Sequence, residues 1–167
     1  MLLTAGSCGD FSFGALMEVY VEANRENGAR LAPEEPEGRQ LALAEQDFYS
    51  YLHDCFFTHP GAEYCIWEEG GRYVSALRLE PYRDGLLLEA LETVPDQRRR
   101  GFATRLIRAV QARIAQRGSV PVYSHVSKTN QASLNTHLRC GFEVVQDFAA
   151  YIDGSVDARA CTLRYEK

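Results

Sequence analysis

The first part of the chain carries apolar residues at the spacing of an α-helix. One set recurs every three or four positions after the potential capping residue Ser12: Phe13, Leu16, Met17 and Tyr20. A charged loop with two prolines, residues 33–38, interrupts this pattern. A second apolar stripe then runs between Leu41 and Cys55 and stops before the His59-Pro60-Gly61 segment. This half of the chain is therefore predicted to form two helices.

From Tyr64 onward the hydrophobic period changes to two, which is typical of β-strands. Two short alternating segments, residues 64–67 and 73–77, flank the sequence Glu-Glu-Gly-Gly, which predicts a hairpin. Asp84-Gly85 marks a second turn before residues 86–93. The first half of that segment is continuously apolar, as expected for a central strand covered on both faces.

The remaining pattern predicts a helix, a strand, a helix and a final hairpin. Their approximate ranges are residues 103–114, 120–126, 130–140 and 142–163, the last with its turn at Asp153-Gly154. The predicted order is thus helix, helix, three antiparallel strands, helix, strand, helix, hairpin. This order favours an α+β fold class.

Composition narrows the class of protein. The length of 167 residues fits one domain over residues 1–167, and 46% hydrophobic residues allow a proper core. The formal net charge of −5 argues against a nucleic-acid partner. Five cysteines without a Cys-x-x-Cys pair predict reduced thiols and no metal site. No segment has the length of a membrane span or the pattern of a signal peptide, so a cytoplasmic protein without a membrane partner is expected.

The most informative segment is residues 94–103, where the predicted central strand runs into a Pro-Asp turn, three arginines, Gly101 and a helix. A helix that begins after such a loop presents unpaired backbone N–H groups and a positive dipole end, which suit a diphosphate. On its own, an arginine-rich turn is more often a solvated basic turn with a glycine at the start of the helix. A single glycine also excludes a Walker A loop and a dinucleotide-binding fingerprint.

Two motifs together resemble the GCN5-related N-acetyltransferase (GNAT) superfamily. Arg98-x-x-Gly101-x-Ala103 resembles its [Gln/Arg]-x-x-Gly-x-[Gly/Ala] signature. Residues 130–142 resemble its Asn-x-x-[Ala/Ser]-x-x-x-[Tyr/His]-x-x-x-Gly-Phe segment, with Asn130, Ser133 and His137 at one face of a helix. Histidine at position 137 resembles the phosphinothricin-type branch of the family. The resemblance covers the chain from Tyr64 to the C-terminus.

This resemblance implies a mixed three-layer fold with a twisted, mostly antiparallel sheet, whose central strands splay apart at a bulge between flanking helices. It implies acetyl-CoA as cosubstrate, with the pantetheine arm in the gap between the strands and the pyrophosphate on the loop amides. The residues expected to bind the cosubstrate are Thr93, Val94, Arg98, Arg99, Arg100, Gly101, Phe102, Ala103, Asn130 and Ser133.

Direct acyl transfer needs a neutral amine, a stabilised oxyanion and a protonated leaving thiolate. His137 is the candidate general acid, with a purely positioning role as the alternative. His125, which shares a strand face with Tyr123, is the first candidate general base and Glu92 the second. A chain of water molecules could also serve. Glu89 lies in an apolar strand and must therefore have a partner or a function.

The acceptor is expected to be a primary amine of a small or amino-acid-like molecule, with a protein N-terminus or lysine as the alternative. Two other classes compete with an enzyme. One is a non-catalytic acyl-CoA-binding or regulatory module, and the other is a nucleic-acid-binding protein built on the three arginines. A homodimer is a further expectation from the sequence.

Overall fold

The computed structural model describes residues 1–166, in which nine β-strands and five α-helices follow one another. Their bounds in chain order are β1 (Leu2–Ala5), α1 (Phe13–Val19), α2 (Val21–Leu31), α3 (Glu37–Asp54), β2 (Glu63–Glu69), β3 (Arg72–Tyr82), β4 (Gly85–Thr93), α4 (Phe102–Gln116), β5 (Val122–Ser127), α5 (Gln131–Arg139), β6 (Glu143–Gln146), β7 (Ala149–Ala150), β8 (Val156–Asp157) and β9 (Ala160–Tyr165). Three single-turn 3₁₀ helices join some of these elements.

Seven strands form one sheet in the order β1-β2-β3-β4-β5-β9-β6, and β7 pairs with β8 in a separate hairpin. Within the main sheet only β4 and β5 are parallel neighbours among the described strands. Helices cover both faces, because apolar side chains lie on both sides of the central strands. The mixed three-layer, mostly antiparallel fold predicted from the sequence is confirmed.

The two faces of the sheet carry separate hydrophobic cores. On one face, Leu16 of α1 and Leu52 of α3 pack against Ile66 of β2. On the other face, the apolar stripe of α4, including Leu106 and Ile107, packs against β2, β3, β4, β5 and β9.

The central strands β4 and β5 separate part-way along their length. Their parallel pairing covers only Leu86–Leu88 against Val122–Ser124. Beyond that point β4 contains a β-bulge: its register with β3 jumps from Arg78↔Glu89 to Ala76↔Glu92, and Ala90 has a φ of +50°. The Tyr20 hydroxyl donates a 2.7 Å hydrogen bond to the Ala90 carbonyl and so ties the bulge to the helical layer. The bulge bends β4 away from β5 and opens a gap.

Some elements differ from the prediction. The short edge strand β1 and the mostly polar helix α2 were not predicted, because neither carries a clear apolar period. Helix α2 is held by close packing instead, since a Cβ at Gly28 would lie 2.4 Å from the Gln40 carbonyl oxygen on α3. The predicted strand after Phe142 is interrupted and forms β6 and β7. The helical spacing of Leu134 and Leu138 predicts that both side chains pack inward, but Leu138 is 47% exposed.

Candidate active site

The loop before α4 offers an unoccupied row of backbone donors. Arg99 and Gly101 both adopt left-handed backbone conformations, with φ of +61° and +82°. No hydrogen bond within residues 1–166 occupies the N–H groups of residues 99–104, and no side chain caps α4. Such free donors at a helix N-terminus form a site for an anion. A Cβ at Gly101 would meet no atom within 4 Å, so the surface beside it is open.

Two of the three arginine side chains of this loop have partners within the protein. Arg98 lies 2.6 Å from a carboxylate oxygen of Glu22 on α2 and donates to the Thr93 carbonyl at 3.2 Å. Arg100 donates to Gln97 and lies over the Phe102 ring, which is itself buried in the core. The loop therefore presents its backbone to a ligand more directly than it presents the Arg98 and Arg100 guanidinium groups.

Thr93 and Val94 are engaged inside the protein. The Val94 N–H donates to the Val74 carbonyl at 3.0 Å, and the Thr93 hydroxyl lies 3.0 Å from the Ser75 hydroxyl. At the bulge, in contrast, Ala90 and Leu91 have no cross-strand partner of their own and line the gap. The sequence gives no sign of this, because the positive φ falls on an alanine and not on a glycine.

Helix α5 forms one wall of the gap. The Asn130 side chain caps the helix by accepting a 3.0 Å hydrogen bond from the Ser133 N–H, as the sequence predicts. His137 is 1% exposed, and its Nδ1 lies 2.8 Å from the Ser133 carbonyl oxygen. Because a carbonyl only accepts, Nδ1 carries the proton and Nε2 is an acceptor, with no partner among the described residues. Burial lowers the pKa of His137, so the ring is neutral near pH 7.

His125 on β5 lies at the opposite wall, inside an aromatic group. Its ring centroid is 5.0 Å from that of Tyr151 and 5.5 Å from that of Tyr82. Both ring nitrogens are buried and have no hydrogen-bond partner within residues 1–166. Burial, and secondarily the charge of Arg83, lowers the pKa of His125. A neutral imidazole with free nitrogens is suited to accept a proton.

The two acidic residues of β4 have different surroundings. Glu92 lies beyond the bulge, 3.8 Å from Arg98, and is not among the residues that line the gap. Glu89 does line it, and is paired with Arg78 across the strands at 3.6 Å. The family resemblance places the last hairpin, which contains Tyr151, on the acceptor side, but the sequence did not distinguish Tyr151 from the other aromatic residues there. Glu89 did carry a signal, as an ionisable residue within an apolar strand.

The gap thus collects groups from three elements into one cavity of about 150 Å³. It is lined by β4, β5 and α5, with His125, Ser133 and His137 on its walls. The sequence model described as the acetyltransferase (GNAT) family matches residues 16–142, which is most of the chain.

The protein belongs to the GNAT acetyltransferase family. It is an acyltransferase, and acetyl-CoA is the cosubstrate of the family. The splayed strands and the free N–H groups of residues 99–104 fit this molecule, whose diphosphate needs such donors. The phosphinothricin-type branch stays a prediction.

Solved structures of GNAT enzymes share the fold over nearly the whole chain. The PaiA N-acetyltransferase from Thermoplasma acidophilum in complex with coenzyme A has a TM-score of 0.65 at 12% identity, covering 100% of this chain and 99% of that one. The ribosomal-protein-S18-alanine N-acetyltransferase from Escherichia coli has a TM-score of 0.63 at 16% identity, covering 99% of this chain and 94% of that one. An aminoglycoside 6'-acetyltransferase type Ii has a TM-score of 0.58 at 14% identity, covering 99% of this chain and 96% of that one. No curated protein sequence matches the chain significantly.

Within residues 1–166, no helix combines the length and the apolar character needed to cross a membrane.

Proposed function

We propose that this GNAT protein transfers the acetyl group of acetyl-CoA directly to a primary amine of a small or amino-acid-like molecule. The observation that carries the proposal is the gap between β4 and β5, which has free backbone donors near one end and the unpartnered imidazole of His125 in its wall. In this proposal, residues 99–104 hold the diphosphate, and Asn130 and Ser133 contact the pantetheine. Of the three arginines, Arg99 is the one whose side chain has no ion-pair, hydrogen-bond or cation–π partner within residues 1–166.

His125 is assigned as the general base. The amine nitrogen loses a proton when it attacks the thioester carbonyl, and a neutral imidazole within the cavity can take that proton and deliver it to the leaving sulfur. The lowered pKa of His125 keeps the ring neutral near pH 7. Glu92 remains the second candidate. Its carboxylate lies 3.8 Å from Arg98 and outside the residues that line the gap, which favours His125 as the base.

His137 is assigned a positioning role in preference to the role of general acid. Its Nδ1 proton is committed to the Ser133 carbonyl, and its Nε2 is a buried acceptor. An acceptor there can receive a hydrogen bond from an N–H or S–H group, but it has no proton to give.

A small acceptor is supported by the covering of this face. The Tyr82 hydroxyl donates to the Ala150 carbonyl, which ties the β7–β8 hairpin to β3, and Tyr151 from the same segment packs on His125 in the cavity wall. A protein N-terminus is the second candidate, favoured by the fold similarity to the S18-alanine enzyme.

The test is release of free coenzyme A from acetyl-CoA with a panel of amines: tyramine, cadaverine, free L-amino acids and a peptide with N-terminal alanine. Turnover with a small amine but not with the peptide is expected. In the productive reaction, His125→Ala should lower kcat by about a hundredfold, the lower end of a general-base contribution. The wild-type kcat should rise with pH through a midpoint below the usual histidine pKa of about 6.5, and His125→Ala should lose that step. An unchanged rate and pH profile would remove the assignment.

The rival function is an acyl-CoA-binding module without catalysis. It keeps the free amides of residues 99–104 but gives no role to a buried imidazole without partners, which costs stability. Tight acetyl-CoA binding without turnover on every amine would support the module.

We also propose a homodimer, supported by the edge strand β6, whose Val144 and Val145 are 53% and 46% exposed. Light scattering after size-exclusion chromatography would show a mass twice that of the chain. A single-chain mass at all concentrations would refute it.

A further inference from the structure

An open groove runs between α2 and α3 and reaches the sheet at Arg78. Its volume is about 730 Å³, and Leu31, Phe48 and Tyr51 supply much of its apolar lining. Arg78 projects from β3 and lines the inner side of the groove, with 14% of its side chain exposed. A concave apolar surface with a charged group at its inner side is typical of a small-molecule site.

The Arg78 guanidinium is held by its faces and available at its edge. It lies 4.9 Å from the centroid of the Tyr51 ring and 5.4 Å from that of the Phe56 ring. Its Nε atom is buried and has no hydrogen-bond partner within residues 1–166. Its ion-pair neighbour Glu89 lies 3.6 Å away, beyond the usual length of a hydrogen bond. A buried guanidinium with unused N–H donors costs stability, so it is suited to an anionic group of a ligand.

The pair of Arg78 and Glu89 lies where the groove meets the gap between β4 and β5. The two residues are cross-strand partners of β3 and β4. Arg78 lines the groove, whereas Glu89 lines the gap, together with His125 and His137. Because the two side chains are 3.6 Å apart, a molecule bound to Arg78 can place an amine beside Glu89. That position is in the cavity whose wall holds His125.

A cation and an anion at this separation are complementary to an amino acid. The amine nitrogen and a carboxylate oxygen of an α-amino acid are about 3 Å apart, since only three bonds join them. The carboxylate can accept from the edge of the Arg78 guanidinium while the amine donates to Glu89. The amino-acid side chain then faces the apolar wall of the groove. An amine without a carboxylate would leave the Arg78 donors unused.

We propose that the acceptor is an α-amino acid with an apolar side chain, whose carboxylate binds Arg78 and whose amine hydrogen-bonds to Glu89. This inference rests on the proposed N-acetyltransferase activity and narrows its acceptor. Arg78 and Glu89 determine which amine binds. The bonds that form and break are still those of the direct acetyl transfer, nitrogen to carbon and carbon to sulfur.

The experiment measures kcat/KM for coenzyme A release with two matched sets of amines. One set is L-phenylalanine, L-phenylalaninamide and 2-phenylethylamine, and the other is L-leucine, L-leucinamide and 3-methylbutylamine. Within each set the amine and the side chain stay the same, and the carboxylate is neutralised or removed. The wild type should prefer the free amino acid by a factor on the order of tenfold to a hundredfold, the range of a charge-assisted hydrogen bond.

Two variants test the assignment to Arg78. Arg78→Lys should lower the preference for the free amino acid about tenfold, because lysine keeps the charge but loses the planar fork. The double variant Arg78→Met/Glu89→Gln leaves no buried charge unpaired, and its preference should fall to within about threefold of none. The preference is a ratio within each variant, so a general loss of folding or of acetyl-CoA binding does not change it.

Arg30→Met is the matched control. Arg30 also lines the groove, but its side chain is exposed and donates to Asn27 on the same helix. Its removal should change the preference by less than about threefold, since exposed charges contribute little.

Three results would overturn this inference while the enzyme remains active. They are equal wild-type kcat/KM for the amino acid and its amide in both sets, an unchanged preference in both Arg78 variants, or a loss in Arg30→Met as large as in Arg78→Lys. Absence of wild-type turnover with every amine would instead overturn the proposed function, and the acceptor assignment with it.

Discussion

Replacement of Gly101 by glutamate should abolish tight acetyl-CoA binding, while the change Arg99→Ala should leave it within about threefold. The reason lies in the loop backbone. Residues 99–104 have free N–H groups, and Gly101 holds the φ of +82° that shapes them. The space beside its Cα is open, so a glutamate side chain projects over those donors without disturbing the core.

Two contributions set the size of the effect. A side chain at a left-handed position costs about 1–2 kcal/mol. A carboxylate about 6 Å from a phosphate charge adds roughly 3 kcal/mol at an effective dielectric constant of about 20, less when water screens it. A loss of at least about 3 kcal/mol, or more than a hundredfold in Kd, is expected. Gly101→Lys is the matched control, because it imposes the same backbone cost with the opposite charge, and should lose about tenfold or less.

Isothermal titration with acetyl-CoA measures these affinities, and thermal unfolding followed by circular dichroism checks that each variant is folded. If Gly101→Glu and Arg99→Ala lose similar affinity, the arginine charges and not the turn hold the diphosphate. If Gly101→Lys loses as much as Gly101→Glu, backbone strain and not charge repulsion is responsible.

Two further predictions concern stability. Gly85→Ala should destabilise the protein by about 2 kcal/mol or more, because its Cβ would lie 1.9 Å from the Pro121 carbonyl oxygen, where β4 and β5 are still joined. In Gly14→Ala the added Cβ meets no atom within 4 Å, so this variant should be neutral or slightly stabilising. Urea unfolding measures the change in unfolding free energy of both variants, and equal changes would contradict this explanation. Burial lowers the pKa of His137 in the folded state, so the unfolded chain binds more protons below about pH 6.5 and stability should fall as pH drops from 7 to 5. His137→Gln should show a smaller fall in unfolding free energy over that range, and an equal fall would show that the buried imidazole is not its source.

Local sequence patterns predict several secondary-structure elements and site residues of this protein. The apolar stripe of α4, the hairpin at Gly70-Gly71 and the cap at Asn130 depend on residues close in sequence, so the sequence alone predicts them. The shared face of Ser133 and His137 also follows from helical spacing alone, and the two side chains lie 3.4 Å apart. The loop at residues 98–103 was recognisable because glycine and arginine at fixed spacing mark a turn that binds an anion.

The tertiary structure decided which atoms are free. The bulge at Ala90 arises from packing against Tyr20 and from the register with β3, and an alanine carries no local sign of a positive φ. The tautomer of His137 depends on one carbonyl, and the carboxylate nearest to Arg98, that of Glu22, comes from an unpredicted helix. Glu89 was recognisable as an ionisable residue within an apolar strand, but its partner Arg78 lies on another strand. Sequence spacing determines which groups share an element, whereas contacts between elements determine which of their atoms remain available to a substrate.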